Sequence, residues 1–222
     1  MKDKIGVIFD FNGTCLFDGK LHDKAWSTYL EELSGCAVSE EDFKKRAVGK
    51  TSKQILEDFL GYELTDNMVY QFSEEKERIY RSLLAKTNLE LAPGLEEFLN
   101  YLTLAGVRKT IASVTSPENM SYYFERYGLE RWFKWEDVVI GTGNIPVKPA
   151  PDIYLAALNN IGFTADKTVV FEDSEVGIKA AYNAGIRHII GVTGDSNDMG
   201  LKNKPQVYAV IRDYTELSAE NF

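Results

Sequence analysis

The stretch IGVIFDFNGT, residues 5–14, joins a short apolar run directly to a polar turn that contains a glycine. An uninterrupted run of β-branched and aromatic residues is typical of a strand that is covered on both faces, as in a parallel sheet. In open parallel sheets, ligands bind beyond the carboxyl ends of the strands. We therefore expect functional side chains in the turn that begins at Asp10.

Further apolar runs of this kind recur along the chain. They are residues 109–114, 138–140, 168–171 and 188–192, with a last short strand predicted at about 207–211. Between them lie stretches in which apolar residues recur at helical spacing: residues 95–104, 118–127, 153–158 and 176–183. Alternation of strands and helices predicts an α/β fold, a Rossmann-like doubly wound parallel sheet.

One long segment breaks this alternation. From about residue 21 to residue 85 the sequence has helical periodicity but no convincing strand, and the alternating pattern resumes near residue 91. We therefore predict an α-helical domain inserted after the first strand. The predicted core comprises residues 1–16 and 87–222, and the inserted helical cap comprises residues 17–86.

The composition disfavours several classes of function. The chain has 222 residues, with 34 acidic against 25 basic side chains and a formal net charge of −9. A negative surface repels phosphate backbones and anionic lipids, so we expect no nucleic-acid partner and no membrane partner. Two cysteines are too few for a disulfide framework, and no apolar stretch approaches the ~20 residues that cross a bilayer. We expect a cytoplasmic protein.

The sequence does not indicate an oligomeric state. An aromatic cluster, Trp132, Phe133 and Trp135, is the feature that bears on it. We expect this cluster in the core rather than at an interface, because large aromatic side chains dominate protein cores.

Polar side chains with complementary chemistry occur where the predicted strands end. They are Asp10 after the first strand, Thr115 and Ser116 after the second, Lys148 ahead of a predicted helix, and Glu172 and Asp173 after a later strand. Carboxylates placed together repel one another, and Mg²⁺ relieves that repulsion by binding their oxygens. Ammonium and hydroxyl groups can hold phosphate oxygens. The set therefore favours phosphoryl transfer, with an ionised carboxylate as the nucleophile.

The order of these motifs resembles that of the haloacid dehalogenase superfamily. The matching stretches are DFNGT (residues 10–14), Thr115, KP (residues 148–149) and FEDSEVG (residues 171–177). The resemblance covers nearly the whole chain, including the helical insertion, and it is closest to the β-phosphoglucomutase and phosphoglycolate phosphatase group. It implies a Mg²⁺-dependent phosphatase-like hydrolase that acts on a small phosphorylated metabolite, such as a sugar phosphate.

The resemblance also implies a role for each matching residue. Asp10 is the expected nucleophile, which becomes a transient aspartyl phosphate and also binds Mg²⁺. Asn12 is expected to offer its backbone carbonyl to the metal, Asp173 to ligate it directly, and Glu172 to help directly or through water. The residues expected to bind the phosphoryl group are Thr115, Ser116 and Lys148, and the lysine is also expected to orient the nucleophile.

Position 12 departs from the pattern of this superfamily. Its phosphatases and mutases carry a second aspartate there, whereas this chain carries Asn12. An amide cannot exchange a proton with the leaving or attacking oxygen, an assistance that contributes about 10²- to 10⁴-fold in rate. Two alternatives to the phosphatase therefore stay open: a β-phosphoglucomutase-type phosphomutase, and a protein that binds phosphorylated metabolites with little turnover.

A basic segment lies within the predicted helical insertion. Residues 43–56 contain five basic side chains and no acidic one: Lys44, Lys45, Arg46, Lys50 and Lys53. The stretch that begins at Gly49 resembles the Gly-Arg-Ser/Thr stretch of such caps, so we expect Gly49, Lys50 and Lys53 to bind an anionic substrate. A solvated helix face is an equally good interpretation of such a charge run.

Overall fold

The computed structural model describes residues 5–47, 50–141, 145–194 and 200–217. The chain divides into two compact units: a core unit, Met1–Phe17 and Glu90–Phe222, and a helical unit, Asp18–Leu89. The observed boundaries follow residues 17 and 89. The sequence predicts these boundaries after residues 16 and 86, which is one residue and three residues earlier.

A six-stranded parallel sheet with the order β3-β2-β1-β4-β5-β6 forms the centre of the core unit. The strands are β1 (Gly6–Phe9), β2 (Arg108–Ser113), β3 (Val139–Ile140), β4 (Thr168–Glu172), β5 (His188–Val192) and β6 (Ala209–Ile211). The α-helices of this unit are α5 (Leu95–Leu104), α6 (Pro117–Tyr127), α7 (Asp152–Ile161) and α8 (Glu175–Asn183). The strand order reverses direction at β1, which confirms the predicted doubly wound α/β fold.

Strand β1 lies at the centre of the sheet and is buried on both faces. Phe9 lies in register with Ile111 of β2 on one side and with Phe171 of β4 on the other. The rings of Phe9 and Phe171 stack with their centroids 5.1 Å apart. On the other face, Ile8 and Val170 belong to a second buried apolar cluster. Double-sided burial explains why the sequence of β1 is continuously apolar rather than alternating.

The helical unit consists of α1 (Gly19–Ser34), α2 (Glu40–Ala47), α3 (Ser52–Leu60) and α4 (Asp66–Ala85). Its described residues contain no strand, in agreement with the sequence prediction. The helices bury one shared apolar cluster that includes Trp26, Tyr29, Leu30, Phe43 and Leu56. In the described ranges, no helix of either unit combines the length and the apolar character needed to span a membrane.

The structure corrects several details of the sequence prediction. Strand β2 covers 108–113 rather than 109–114, and β6 begins at Ala209 rather than at residue 207. Trp132 and Phe133 are buried as expected. The expectation for Trp135 was wrong, because this side chain is 47% exposed. It begins a single 3₁₀ turn, and its ring meets that of Phe124 in a T-shaped arrangement with centroids 5.0 Å apart.

Candidate active site

The carboxyl ends of three neighbouring strands carry the residues singled out by the sequence. Strand β1 pairs with β2 on one side and with β4 on the other. Asp10 directly follows β1, Glu172 is the last residue of β4 and Asp173 is the next, while Thr115 lies two residues beyond β2. The order of the strands reverses here, at β1, and ligands of open α/β sheets bind at such a reversal.

Lys148 connects two of these strand ends. Its ammonium donates hydrogen bonds to Asp10 Oδ1 and to Glu172 Oε1, with N–O distances of 2.6 Å in both cases. All three side chains are almost completely buried. Burial opposes the charge of the lysine, but the two carboxylates outweigh it and raise the pKa of Lys148 well above its ordinary value. Lys148 is therefore a fixed cation at the ends of β1 and β4.

Glu172 is enclosed by hydrogen-bond donors. Its Oε1 accepts from Lys148 and, at 3.1 Å, from the Tyr154 hydroxyl, while its Oε2 accepts from the backbone N–H and the hydroxyl of Ser174 at 2.8 and 3.0 Å. Gly177 of α8 makes room for this carboxylate, since a Cβ at position 177 would lie 1.5 Å from Oε1. With four donors on its two oxygens, Glu172 holds the lysine in place.

Asp173 lies among site residues whose side chains together carry more negative than positive charge. Thr14 Oγ1 donates to Asp173 Oδ1 at 3.4 Å. The turn passes close by at Gly13, which has φ of +80° and where a Cβ would lie 2.1 Å from Oδ2. Burial and the charges of Glu172 and Asp10 raise the pKa of Asp173 well above its ordinary value. One ammonium does not balance three carboxylates, so the site is electrostatically suited to a further cation.

Asn12 is held by a side chain of α6. Its Nδ2 donates a hydrogen bond to the hydroxyl of Tyr123, with an N–O distance of 2.9 Å. Its neighbour Phe11 stacks on the same tyrosine, with ring centroids 4.6 Å apart. The turn after β1 is therefore fixed against α6 by two successive residues.

Thr115 and Ser116 lie between the end of β2 and the start of α6. Ser116 is the N-cap of α6, and its Oγ accepts the backbone N–H of Asn119 at 3.2 Å. The backbone N–H of Thr115 donates to Ser113 Oγ at 3.4 Å. Because Ser116 caps the helix, the side chain of Thr115 is not needed for that role. Both residues lie at the positive end of the α6 dipole, a position that suits an anion.

The basic segment lies in the helical unit, where its described residues form ion pairs. The Nζ of Lys50 lies 3.3 Å from the carboxylate of Asp58, and that of Lys53 lies 3.4 Å from Asp66. Gly49 lies outside the described residues. Such pairs are typical of a solvated helix face and do not decide between the two interpretations. Substrate binding by Lys50 and Lys53 stays a prediction.

Two tyrosines in contact with these residues were not predicted. Tyr154 and Tyr123 are both fully buried, and each hydroxyl contacts a candidate site residue. Both tyrosines lie on apolar faces of predicted helices, which indicates that they are buried. A buried tyrosine hydroxyl normally has a hydrogen-bond partner. Periodicity indicates that such a side chain points inward, but it does not indicate which strand end it meets.

Comparison with known proteins identifies the family. The model of the haloacid dehalogenase-like hydrolases matches residues 7–191. The chain belongs to this family. The haloacid dehalogenase-like chain is 29% identical over 196 residues to a phosphorylated carbohydrates phosphatase from Thermotoga maritima, an alignment that covers 86% of this chain and 87% of that one. It is 25% identical over 237 residues to a β-phosphoglucomutase from Mycobacterium bovis, covering 95% and 90% of the two chains.

A solved structure agrees with this assignment. The crystal structure of a haloacid dehalogenase hydrolase of family IA, variant 3, from Entamoeba histolytica superimposes with a TM-score of 0.91 at 32% sequence identity. The match covers 97% of this haloacid dehalogenase-like chain and 96% of the other. These findings confirm the resemblance to the superfamily and the predicted fold class.

Proposed function

We propose that this chain is a Mg²⁺-dependent phosphatase that acts on a small phosphorylated metabolite, with sugar phosphates as the preferred class. The observation that carries the proposal is the buried ammonium of Lys148, 2.6 Å from the Asp10 carboxylate at the carboxyl end of β1. Family membership supports hydrolysis. The names of two relatives, a phosphorylated carbohydrates phosphatase and a β-phosphoglucomutase, support the substrate class.

Asp10 is the proposed nucleophile. One of its carboxylate oxygens attacks phosphorus while the bond between phosphorus and the ester oxygen breaks, which gives an aspartyl phosphate and an alkoxide or aryl oxide. Water then attacks the phosphorus of this acyl phosphate, releases inorganic phosphate and restores the carboxylate. Lys148 orients the Asp10 carboxylate before the reaction and attracts the phosphoryl oxygens during it.

The phosphoryl group is proposed to lie at the start of α6. The hydroxyls of Thr115 and Ser116 lie at this end of the helix, where the positive end of the helix dipole favours an anion. With Lys148 they provide donors from two separate segments of the chain. Gly49, Lys50 and Lys53 of the helical unit are also proposed to bind the anionic substrate.

The residues of the site fit a Mg²⁺ ion. The proposed ligands are the carboxylates of Asp10 and Asp173 and the backbone carbonyl of Asn12, all hard oxygen donors. In the part of the chain that the structure describes, no three His, Cys, Asp or Glu side chains are arranged to hold a metal. Mg²⁺ binds through one or two protein carboxylates and completes its shell with water and substrate phosphate. When bound, the ion neutralises charge on the phosphoryl oxygens.

Glu172 is proposed to support the metal site indirectly. Its oxygens already accept four hydrogen bonds, from Lys148, Tyr154 and Ser174. A bond from Glu172 to the metal would require at least one of these donors to lose its partner. We therefore favour a contact through water, together with its role in holding Lys148.

Asn12 determines which esters this enzyme can cleave well. An alkoxide leaving group needs a proton that an amide does not supply. An aryl oxide departs without one. A phosphomutase, the activity named for the relative from Mycobacterium bovis, needs proton transfer twice in each cycle, so Asn12 favours the phosphatase over the mutase.

The proposal is tested by assaying the purified chain with p-nitrophenyl phosphate and with a panel of sugar phosphates, in Mg²⁺ and in EDTA. We expect Mg²⁺-dependent phosphate release that Asp10→Asn abolishes and that Asp166→Asn, a change at the surface, leaves intact. Turnover that survives EDTA or Asp10→Asn would refute the mechanism. Isomerisation of a sugar phosphate without phosphate release would assign a mutase, and tight binding without turnover would assign a binding protein.

A further inference from the structure

We propose that Tyr123 is a positioning residue of the active site that acts through Asn12, an inference that rests on the proposed phosphatase function. Its hydroxyl accepts a hydrogen bond from Asn12 Nδ2 at 2.9 Å. Its ring stacks on Phe11 with a centroid distance of 4.6 Å. Tyr123 thereby contacts both of the residues that directly follow Asp10, the proposed nucleophile.

Tyr123 is held by burial and by its position in a capped helix. Tyr123 is fully buried and lies inside α6, a helix with a serine N-cap and a glycine C-cap. Ser116, Asn119 and Tyr123 are spaced at i, i+3 and i+7 and therefore share one face of this helix. Through that face, α6 connects the turn after β2, where the phosphoryl group is proposed to bind, with the turn after β1, which carries the nucleophile.

The hydrogen bond fixes the orientation of the Asn12 amide, which ring stacking alone does not do. A phenol can accept a hydrogen bond from the amide of Asn12 and, unlike a phenylalanine ring, it sets the direction of that amide. Holding the side chain of Asn12 restricts the backbone of the same residue, whose carbonyl is proposed to face the metal. Without the hydroxyl, the turn can adopt other orientations, and a smaller fraction of the molecules is arranged for reaction.

The effect should fall on kcat rather than on KM. Lys148 and Thr115, which are proposed to bind the phosphoryl group, do not depend on the contact between Asn12 and Tyr123. Loss of one neutral hydrogen bond that orders the reacting groups corresponds to a decrease of about threefold to tenfold in kcat. KM should change by less than about twofold.

Tyr123→Phe tests the proposal, because it keeps the stacked ring and removes only the hydroxyl. Tyr122→Phe is the matched control: the same substitution one residue earlier on α6, where the hydroxyl accepts from Arg126 Nη1 at 3.4 Å instead. The readouts are kcat and KM for p-nitrophenyl phosphate with Mg²⁺. A third, independent of activity, is the NMR signal pair of the Asn12 side-chain amide, assigned by its disappearance in Asn12→Asp.

We expect Tyr123→Phe to shift the Asn12 amide signals and to lower kcat, and Tyr122→Phe to do neither. In the Asn12→Ala background, Tyr123→Phe should change kcat by less than about twofold, because the hydrogen bond is already absent. Unshifted amide signals, an unchanged kcat or an equal loss in Tyr122→Phe would each overturn the proposal. If the wild type hydrolyses no phosphate ester, the proposed function fails, and the amide signals still decide whether Tyr123 holds Asn12.

Discussion

Lys148 is the shared cation of two ion pairs in the site. It pairs with Asp10 and Glu172 at once, and all three groups are nearly completely buried. Removal of one partner from a buried ion pair typically costs about 3–5 kcal/mol of stability. A Lys148 variant would therefore lose structure together with activity, so the neighbouring residues provide cleaner tests.

Asp173→Asn should raise the Tm of the metal-free protein at neutral pH. Burial and neighbouring carboxylates raise the folded-state pKa of Asp173, so its protonated form stabilises the fold at low pH and this contribution is lost as pH rises through the raised pKa. The amide does not ionise. The difference in Tm between variant and wild type, measured in EDTA from about pH 4 to about pH 8, should therefore grow with pH.

Added Mg²⁺ provides the complementary measurement for Asp173. It should raise the Tm of the wild type, because a ligand that binds only the folded state stabilises it. It should raise the Tm of Asp173→Asn much less, and that of the surface control Asp166→Asn as much as the wild type. A metal-free Asp173→Asn that melts below the wild type at neutral pH would contradict the surplus of negative charge.

Asn12→Asp should restore general acid catalysis. For alkyl phosphates, whose leaving oxygen needs a proton, we expect kcat to rise by about 10²- to 10⁴-fold. For aryl phosphates, formation of the aspartyl phosphate should change little, since aryl oxide departs unprotonated. Steady-state and burst kinetics on one alkyl and one aryl phosphate measure both effects. Equal alkyl phosphate rates for the two proteins would show that another group handles the proton.

At the scale of the secondary structure elements, the strands were easier to predict than their surroundings. The apolar runs predict β1, β4 and β5 because strands buried on both faces need continuous apolar sequence. The ends of β1 and β4 then give the positions of Asp10 and Asp173. The contacts of Tyr154 and Tyr123 could not be predicted, because they depend on how α7 and α6 pack on the sheet. Trp135 was predicted wrongly because its exposure depends on a surface turn that no periodic pattern marks.

Substitutions in the basic segment test whether it binds the substrate. If Lys50 and Lys53 bind the anionic substrate, Lys50→Glu and Lys53→Glu should each raise KM several-fold at low salt, with a smaller effect at high salt, because salt screens exposed charges. Lys45→Glu is the matched control, since Lys45 pairs with Glu41 on α2 at 2.8 Å. KM values that change equally in all three variants, or in none, would favour the solvated helix face.

At the scale of the whole molecule, the order of the motifs carried more information than the composition. A net charge of −9 disfavours polyanionic partners but is compatible with a local site built around one buried ammonium. The family follows from motifs at the ends of β1, β2 and β4, which are distant in sequence and adjacent in the sheet. The substrate could not be predicted in the same way, because these motifs identify the reacting residues and no comparable pattern identifies the residues that select the substrate.

The central claim is that phosphate is transferred to Asp10, and trapping of the covalent intermediate tests it most directly. The chain is mixed with p-nitrophenyl phosphate and Mg²⁺, quenched with acid during the burst and reduced with borohydride, which converts an aspartyl phosphate to homoserine. Peptide mass spectrometry then locates the modified residue. We predict homoserine at position 10 in the wild type and none in Asp10→Asn or in EDTA. Steady turnover with no modification at position 10, or with modification at another carboxylate, would contradict the account.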